Sequence, residues 1–356
     1  MKAKTKNRLH LFLYTVIFWV ISSILYHILR RIGIGGEIGI DFIAPVSKLE
    51  GFRIAFFLGL ITGFFYASLE LVFENTWLQR KSLGVRMMIK TVSYTFLIGL
   101  VMTIAINYVN TIIGVSESMS RTQIIESGAI FSIATFFILS SSFYSFLRMV
   151  NEKFGQGILW DMILGKYRKP RIEKKIFMFL DLTSSTTLAE TMGYLKYSSL
   201  IQQCFYDLNE VVQKYEGQIY QYVGDEAVIC WDYEQGIKEN VCVDLYFAFQ
   251  QKLYRKKEFY EQEFGLLPHF KAGIHGGELV VTEVGIIPKE IAYHGDVINT
   301  TARIQGECTN YGVELLISGD LMQDLKLEAK HLANAIGEVV LKGKEKPVQI
   351  YSLSKG

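Results

Sequence analysis

Hydrophobic and polar positions follow two different rhythms along this chain, and the rhythm changes near residue 150. Before it, apolar positions come in long runs: Leu11 to Leu29, Ile54 to Val72, Thr91 to Val109 and Ala129 to Leu147. Each run is about twenty residues, the length a helix needs to cross roughly 30 Å of hydrocarbon. The stretches between them carry charge, Gly or Asn, so the pattern predicts four membrane crossings. After residue 150 the runs shorten. Ile176 to Leu180 is wholly apolar and stops at Asp181, followed by Leu182, Thr183, Ser184 and Ser185. That pattern predicts a buried central strand delivering one carboxylate to its edge. Thr187 to Tyr215 has a broad apolar face at helical spacing. Gln218 to Val223 and Ala227 to Trp231 alternate as two strands closed by a tight turn at Gly224-Asp225. Further on, the pattern predicts a helix over Gly236 to Phe264, a strand His269 to Ile274, and an apolar run Glu278 to Ile286. A helix from Asp296 to Tyr311 follows, with Asp296 as N-cap behind Gly295, and then strands near Val313 to Ser318, Glu338 to Leu341 and Val348 to Ser352. Such mixed order predicts an α+β sandwich with a central, largely antiparallel sheet.

Composition sharpens this picture only in places. A mean hydropathy of +0.23 is high for a soluble protein and agrees with membrane segments. Lys and Arg number 37 against 35 Asp and Glu, a balance that argues against bulk nucleic-acid binding. The 4 cysteines lie at 204, 230, 242 and 308 without CxxC spacing and read as reduced core thiols. Lys2, Lys4, Lys6 and Arg8 precede the first run, which is too long for the core of a signal peptide. Arg80, Lys81, Arg86 and Lys90 crowd the second loop, so the positive-inside rule places that loop and both termini in the cytoplasm. Within the runs, His27, Glu70 and Ser140 to Ser142 are the polar exceptions; His27 and Glu70 sit near run ends, where side chains reach the interface. Residues 1–150 therefore read as a four-helix membrane domain and 175–356 as a separate α+β domain. Residues 151–174 form a juxtamembrane linker, either coupling the two halves or passive, in which Leu159, Met162, Ile163 and Leu164 fit one short amphipathic helix ended by Gly165.

Asp181 and Asp225, on adjacent strand ends, make a site for hard divalent cations, which take oxygen ligands and in pairs assist in-line displacement at phosphorus. Five stretches then resemble one family in the right order: Phe179 to Thr186, Tyr222 to Glu226, Lys271 to Gly277, His294 to Arg303 and Leu341 to Lys344. Residues 172 to 354 resemble the catalytic domain of class III nucleotidyl cyclases, in the layout of membrane-anchored bacterial members. The resemblance implies a ferredoxin-like βαββαβ core. It implies two Mg²⁺ or Mn²⁺ ions held by Asp181, Asp225 and the backbone carbonyl of Leu182, with the amides of Thr183, Ser184, Ser185 and Thr186 facing phosphate. Asn299 matches the residue that orients the ribose, Arg303 the arginine on the α-phosphate, and Lys342 and Lys271 basic residues on the polyphosphate. At the two base-selecting positions this chain has Gln221 and Ala292. Gln221 pairs with either purine edge and Ala292 supplies no side-chain hydrogen bond. The expected activity is adenylate cyclase, ATP to 3′,5′-cyclic AMP and pyrophosphate, in intracellular signalling, with GTP the alternative substrate. The expected assembly is a homodimer with sites at the subunit interface. The expected location is the inner (plasma) membrane, multi-pass and in contact with lipid, with the catalytic domain cytoplasmic. The reading from a different class is a degenerate cyclase module serving as the dimerising output of a membrane receptor.

Overall fold

The computed structural model describes residues 2–33, 48–74, 81–112, 129–154, 161, 164–285, 290–327, 331–344 and 346–356. Contacts divide the chain into a helical unit over residues 4–154 and a second unit over residues 155–356.

The helical unit has four long helices, α1 (Lys2–Gly33), α2 (Lys48–Glu74), α3 (Leu83–Ile112) and α4 (Ala129–Phe154). Three stretches among the described residues are long and apolar enough to cross a membrane: Arg8–Leu29, Leu49–Phe73 and Phe131–Asn151. α3, where the pattern puts a span from Thr91 to Val109, is not one of these three. Close approach of α1 and α2 rests on small residues: a methyl on Gly59 would stand 2.7 Å from Val20 Cα, and one on Gly63 2.8 Å from Val16 Cα. Trp19, Tyr66, Tyr94, Leu97 and Tyr144 fill the centre. Glu70 does not reach outward to an interface. It is buried, ion-paired to Lys90 at 2.9 Å and hydrogen-bonded by the Tyr94 hydroxyl, with Arg148 of α4 at 4.0 Å.

The second unit is built on one sheet. Its strands among the described residues are β1 (Arg171–Leu182), β2 (Gln218–Val223), β3 (Glu226–Asp232), β4 (Phe270–Val284), β5 (Glu290–His294), β6 (Leu315–Ser318), β7 (His331–Val339) and β8 (Val348–Lys355). The order is β2-β3-β1-β4-β6-β8-β7, with β5 also on β4, and every pairing is antiparallel except β4 with β6. The run β2-β3-β1-β4 is the split βαββαβ arrangement that the resemblance implied. Helices α5 (Ser185–Met192) and α6 (Tyr194–Val212) follow β1, and α7 (Tyr233–Ile237), α8 (Val241–Arg255) and α9 (Lys257–Phe264) follow β3. α10 (Asp296–Tyr311) follows β5 and α11 (Gly319–Asp324) follows β6.

β1 is central because it is buried on both faces. Ile176, Met178, Leu180 and Leu182 pack with α6 and α8, whereas Phe177 and Phe179 pack with Val228, Cys230, Leu279, Val281 and Val297 of α10. The helix expected over Thr187 to Tyr215 is broken at Gly193, whose φ of 81° ends α5 and lets α6 start in a new direction. Gly276-Gly277 does not interrupt β4, which runs through 15 residues, since flat backbone there fits under Tyr233 and Val297. β5 and most of β7 were not legible as strands, their short or polar stretches being ordered only by pairing with β4 and β8. Asp296 is the first residue of α10 and Gly295 its N-cap, so the carboxylate is not the cap. Of the expected linker helix, Leu164 alone of its four apolar residues lies among the described residues.

Gly273 is the point where α10 rests on β4. A methyl there would stand 2.4 Å from the Gln305 backbone nitrogen and 2.7 Å from its Cα. Gly273→Ala is therefore expected to destabilise the second unit by about 1–3 kcal/mol, as overpacking against backbone does. Thermal unfolding of the full chain checks this, and an unchanged midpoint would mean that α10 is not seated there.

Candidate active site

The site begins with two carboxylates. Asp181 is the eleventh residue of β1, opposite Glu226 on β3 and Lys271 on β4. Asp225 lies in the two-residue turn joining β2 to β3, which Gly224 makes possible with a φ of 62°. The turn brings Asp225 within hydrogen-bonding reach of Asp181. Burial, then the Asp225 charge, push the Asp181 carboxyl up to about 6. Glu226 is pushed up to about 7 by burial first and then by Asp181 and Asp225. Gln305 of α10 donates to Asp181 Oδ2 at 3.4 Å and works in the opposite direction. Sequence reasoning missed Gln305, because nothing in its spacing marks it; only the fit of α10 over Gly273 aims it at β1.

These residues fit a divalent cation. Asp225 Oδ2 is buried without a hydrogen-bond partner among the described residues, and the Asp225 charge bears on Asp181 beside it. Among the described residues no three His, Cys, Asp or Glu side chains cluster as a metal cage. Two carboxylates with backbone oxygen and room for phosphate oxygens is the donor set that magnesium-type ions use.

The structure corrects the expected amide cradle in part. The Thr183 amide donates to His269 O at 2.9 Å and so extends the β1–β4 ladder instead of facing a phosphate. Ser184 takes a left-handed conformation (φ 58°) and its carbonyl receives the Leu188 amide, opening α5. Ser185 and Thr186 then stand in the first turn, where helix amides have no intrahelical partner.

A second group assembles on α10. Asn299 is exposed and Arg303, one turn on, is half-buried. The turn after Leu341, closed by Lys344 N to Leu341 O at 2.9 Å, brings Gly343 against Arg303: a methyl on Gly343 would lie 3.4 Å from Nη2. Lys342 is exposed on this turn. Lys271 belongs to neither group by its contacts, since its Nζ donates to Thr309 Oγ1 at 3.1 Å. No hydrogen bond or ion pair among the described residues joins Asn299, Arg303 or Lys342 to Asp181 or Asp225.

Local sheet geometry sets the two positions expected to read the base. β2 has a bulge between Ile219 and Gln221, so Gln221 pairs with Val228 while Tyr222 turns to the helical face and stacks on Phe205 at 4.5 Å. The extra residue thus moves exposed Gln221 to the face of β1 that carries Asp181. Tyr220 meets Tyr293 of β5 at 4.8 Å, with Phe177 at 5.4 Å from Tyr293, so the sheet is curled enough for distant strands to touch. Ala292 pairs with Thr282, on the face away from Tyr293.

Residues 168–355 match the family model described as the adenylate and guanylate cyclase catalytic domain, more than half of the chain. The chain belongs to this family. It is 34% identical over 211 residues to adenylate cyclase 2 of Rhizobium meliloti, a match covering 59% of this chain and 58% of that one. Adenylate cyclase 1 of the same organism is 27% identical over 182 residues, covering 49% of this chain and 27% of the relative. The chain thus spans less than two thirds of the length of these curated relatives. A bacterial light-regulated adenylyl cyclase shares the fold, with a TM-score of 0.52 at 16% identity over 67% of this chain and 66% of that one.

A carboxylate raised in the folded state contributes stability in full below its ordinary value near 4 and loses it as pH rises through the raised value. With Asp181 near 6 and Glu226 near 7, the cation-free cyclase unit is expected to lose stability between about pH 4 and pH 7. Added Mg²⁺ or Mn²⁺ is expected to raise the unfolding midpoint at about pH 8 and to leave it unchanged at about pH 5. Equal shifts at both pH values would place cation binding elsewhere.

Proposed function

We propose that this chain is a membrane-anchored adenylate cyclase that converts ATP to 3′,5′-cyclic AMP and pyrophosphate. The observation that carries the reading is the pair Asp181 and Asp225, held together beside an unpartnered buried oxygen, on a chain whose relatives are named adenylate cyclases. Asp181, Asp225 and the Leu182 carbonyl would hold two divalent cations, and the first-turn amides of Ser185 and Thr186 would face the phosphates. When bound, such a pair of ions eases loss of the ribose 3′-hydroxyl proton and neutralises the leaving pyrophosphate. Asn299 orients the ribose, and Arg303 presents a fork of donors to the α-phosphate as charge accumulates there. Lys342 binds the polyphosphate, and Lys271 supplies positive charge from its place opposite Asp181. Gln221 reads the purine edge; Ala292 leaves that task to it.

Two groups of residues that do not touch within one chain support a homodimer, each site taking the aspartates of one chain and the α10 residues of its partner. The helical unit anchors this assembly. We read α3 as a fourth crossing beside the three helices that are long and apolar enough, with both termini and the cyclase domain on the cytoplasmic side of the plasma membrane. The orientation rests on the basic residues of the second loop, Arg80, Lys81, Arg86 and Lys90.

Asp225→Asn is expected to abolish turnover of ATP and GTP with folding retained, as judged by cyclic nucleotide formation and the unfolding midpoint. Wild type forming no cyclic nucleotide from either substrate would leave the degenerate receptor module as the reading. In a separate experiment, Asp225→Ala and Arg303→Ala are each expected to be inactive, and co-expression to restore about a quarter of wild-type activity through mixed dimers with one intact site. Mixed dimers recovered by a tag yet inactive would rule out the shared site. For base choice, Gln221→Glu is expected to shift preference toward GTP, because a carboxylate accepts from guanine N1 and N2; an unchanged ratio would remove Gln221 from the pocket.

A further inference from the structure

The Lys342-Gly343-Lys344 stretch offers two lysines of the same chemistry, and the structure gives them different surroundings. Three contacts lay the turn along one face of α10. Leu341 is buried with Ile304 and Cys308, Gly343 abuts the Arg303 guanidinium, and Lys344 Nζ is 2.7 Å from Asp296 Oδ2. Asp296, Thr300 and Arg303 stand at i, i+4 and i+7, which aligns them on that face. Thr300 Oγ1 donates to the same Asp296 oxygen at 3.1 Å, so the carboxylate is held in place before Lys344 reaches it. Gly343 needs its left-handed φ of 73° to turn the chain back in so few residues. Of the two lysines Lys342 is exposed and has no hydrogen bond or ion pair among the described residues, whereas the Lys344 side chain is 20% exposed and committed to Asp296. Below the pair, buried His275 shares a 2.7 Å hydrogen bond with Ser318. Burial first, then Lys344, push its ring down to about 4, leaving it neutral so that it does not compete for Asp296.

We infer that the Asp296–Lys344 ion pair is a positioning clamp. It seats the Leu341–Lys344 turn on α10 and thereby fixes Lys342 and Arg303 as one unit aimed at the polyphosphate and the α-phosphate. The inference rests on the cyclase reading above. Neither Asp296 nor Lys344 touches nucleotide in it; Lys344 is a positioning residue, and Lys342 alone of the two is the phosphate ligand. Asp296 is 61% exposed, so solvent screens the pair and its loss loosens the turn without unfolding α10. Small displacements of an oriented arginine are costly in the transition state and less so in ground-state binding.

The test uses the full chain with Asp296→Asn, Lys344→Gln and the charge swap Asp296→Lys with Lys344→Asp. Each neutral variant is expected to lower kcat by about fivefold with KM changed less than about twofold, and the swap to recover kcat to within about twofold of wild type. Amide hydrogen exchange over residues 339–344 is expected to quicken in the neutral variants and return toward wild type in the swap. Thermal midpoints show that each variant is folded. Unchanged exchange in the neutral variants overturns the clamp whatever the kinetics. Quickened exchange with unchanged kcat, or a swap no better than the neutral variants in both readouts, overturns it as a positioning device. Wild type that makes no cyclic nucleotide overturns the cyclase reading instead, and exchange still decides whether the clamp exists.

Discussion

Two half-buried carboxylates held against each other are the constraint around which the cyclase unit is arranged. Burial first, and then repulsion between the neighbouring carboxylates, raises the pKa of Asp181 and of Glu226, and that rise registers the cost of holding them there. A mobile pair would separate. It stays together because β1 is clamped on both faces by apolar side chains and because a two-residue turn leaves Asp225 no freedom to retreat. The stability of the surrounding sheet thus offsets a local penalty.

The two faces of the sheet divide the labour. Even-numbered positions of β1 pack on α6 and α8 and supply the main core, while odd-numbered positions end at Asp181 on the face shared with α10. Local irregularities then place groups on that face. The β2 bulge turns Gln221 onto it, and the missing side chain at Gly273 lets α10 descend until Gln305 reaches Asp181. Neither device adds much packing, and both concern where a polar group points.

What was legible in the sequence follows the same division. The Ile176 to Leu180 run ending in Asp181, and the alternation on either side of Gly224-Asp225, are local signals of burial and turn chemistry, and each element lies where those signals put it. Elements ordered by distant partners were not legible: β5 exists by pairing with β4, and β7 by pairing with β8. Asp296 misled for a related reason. An aspartate behind glycine reads as a helix cap, but Gly295 takes that place and frees the carboxylate for Thr300 and Lys344, a partner 48 residues on whose position only the folded turn reveals. The Thr183 amide was likewise expected to face phosphate, because no pattern announces that the ladder continues one residue beyond β1 to His269.

The helical unit poses the same electrostatic question with the opposite solution. Glu70 is as buried as any aliphatic residue there, and an isolated carboxylate in such a setting is prohibitive. It is tolerated because Lys90 sits at 2.9 Å, the Tyr94 hydroxyl donates to it, and Arg148 stands at 4.0 Å, so α2, α3 and α4 all contribute to one charge cluster. A buried ion pair adds little net stability over a well-packed apolar substitute, yet removing one partner leaves the other charge uncompensated. Its consequence is therefore specificity of arrangement more than strength: three helices, otherwise free to slide on apolar and aromatic surfaces, have one register in which Glu70 is satisfied. In the cyclase unit one carboxylate oxygen, Asp225 Oδ2, is left buried without a hydrogen-bond partner among the described residues, and in the helical unit a satisfied carboxylate marks how the helices are held.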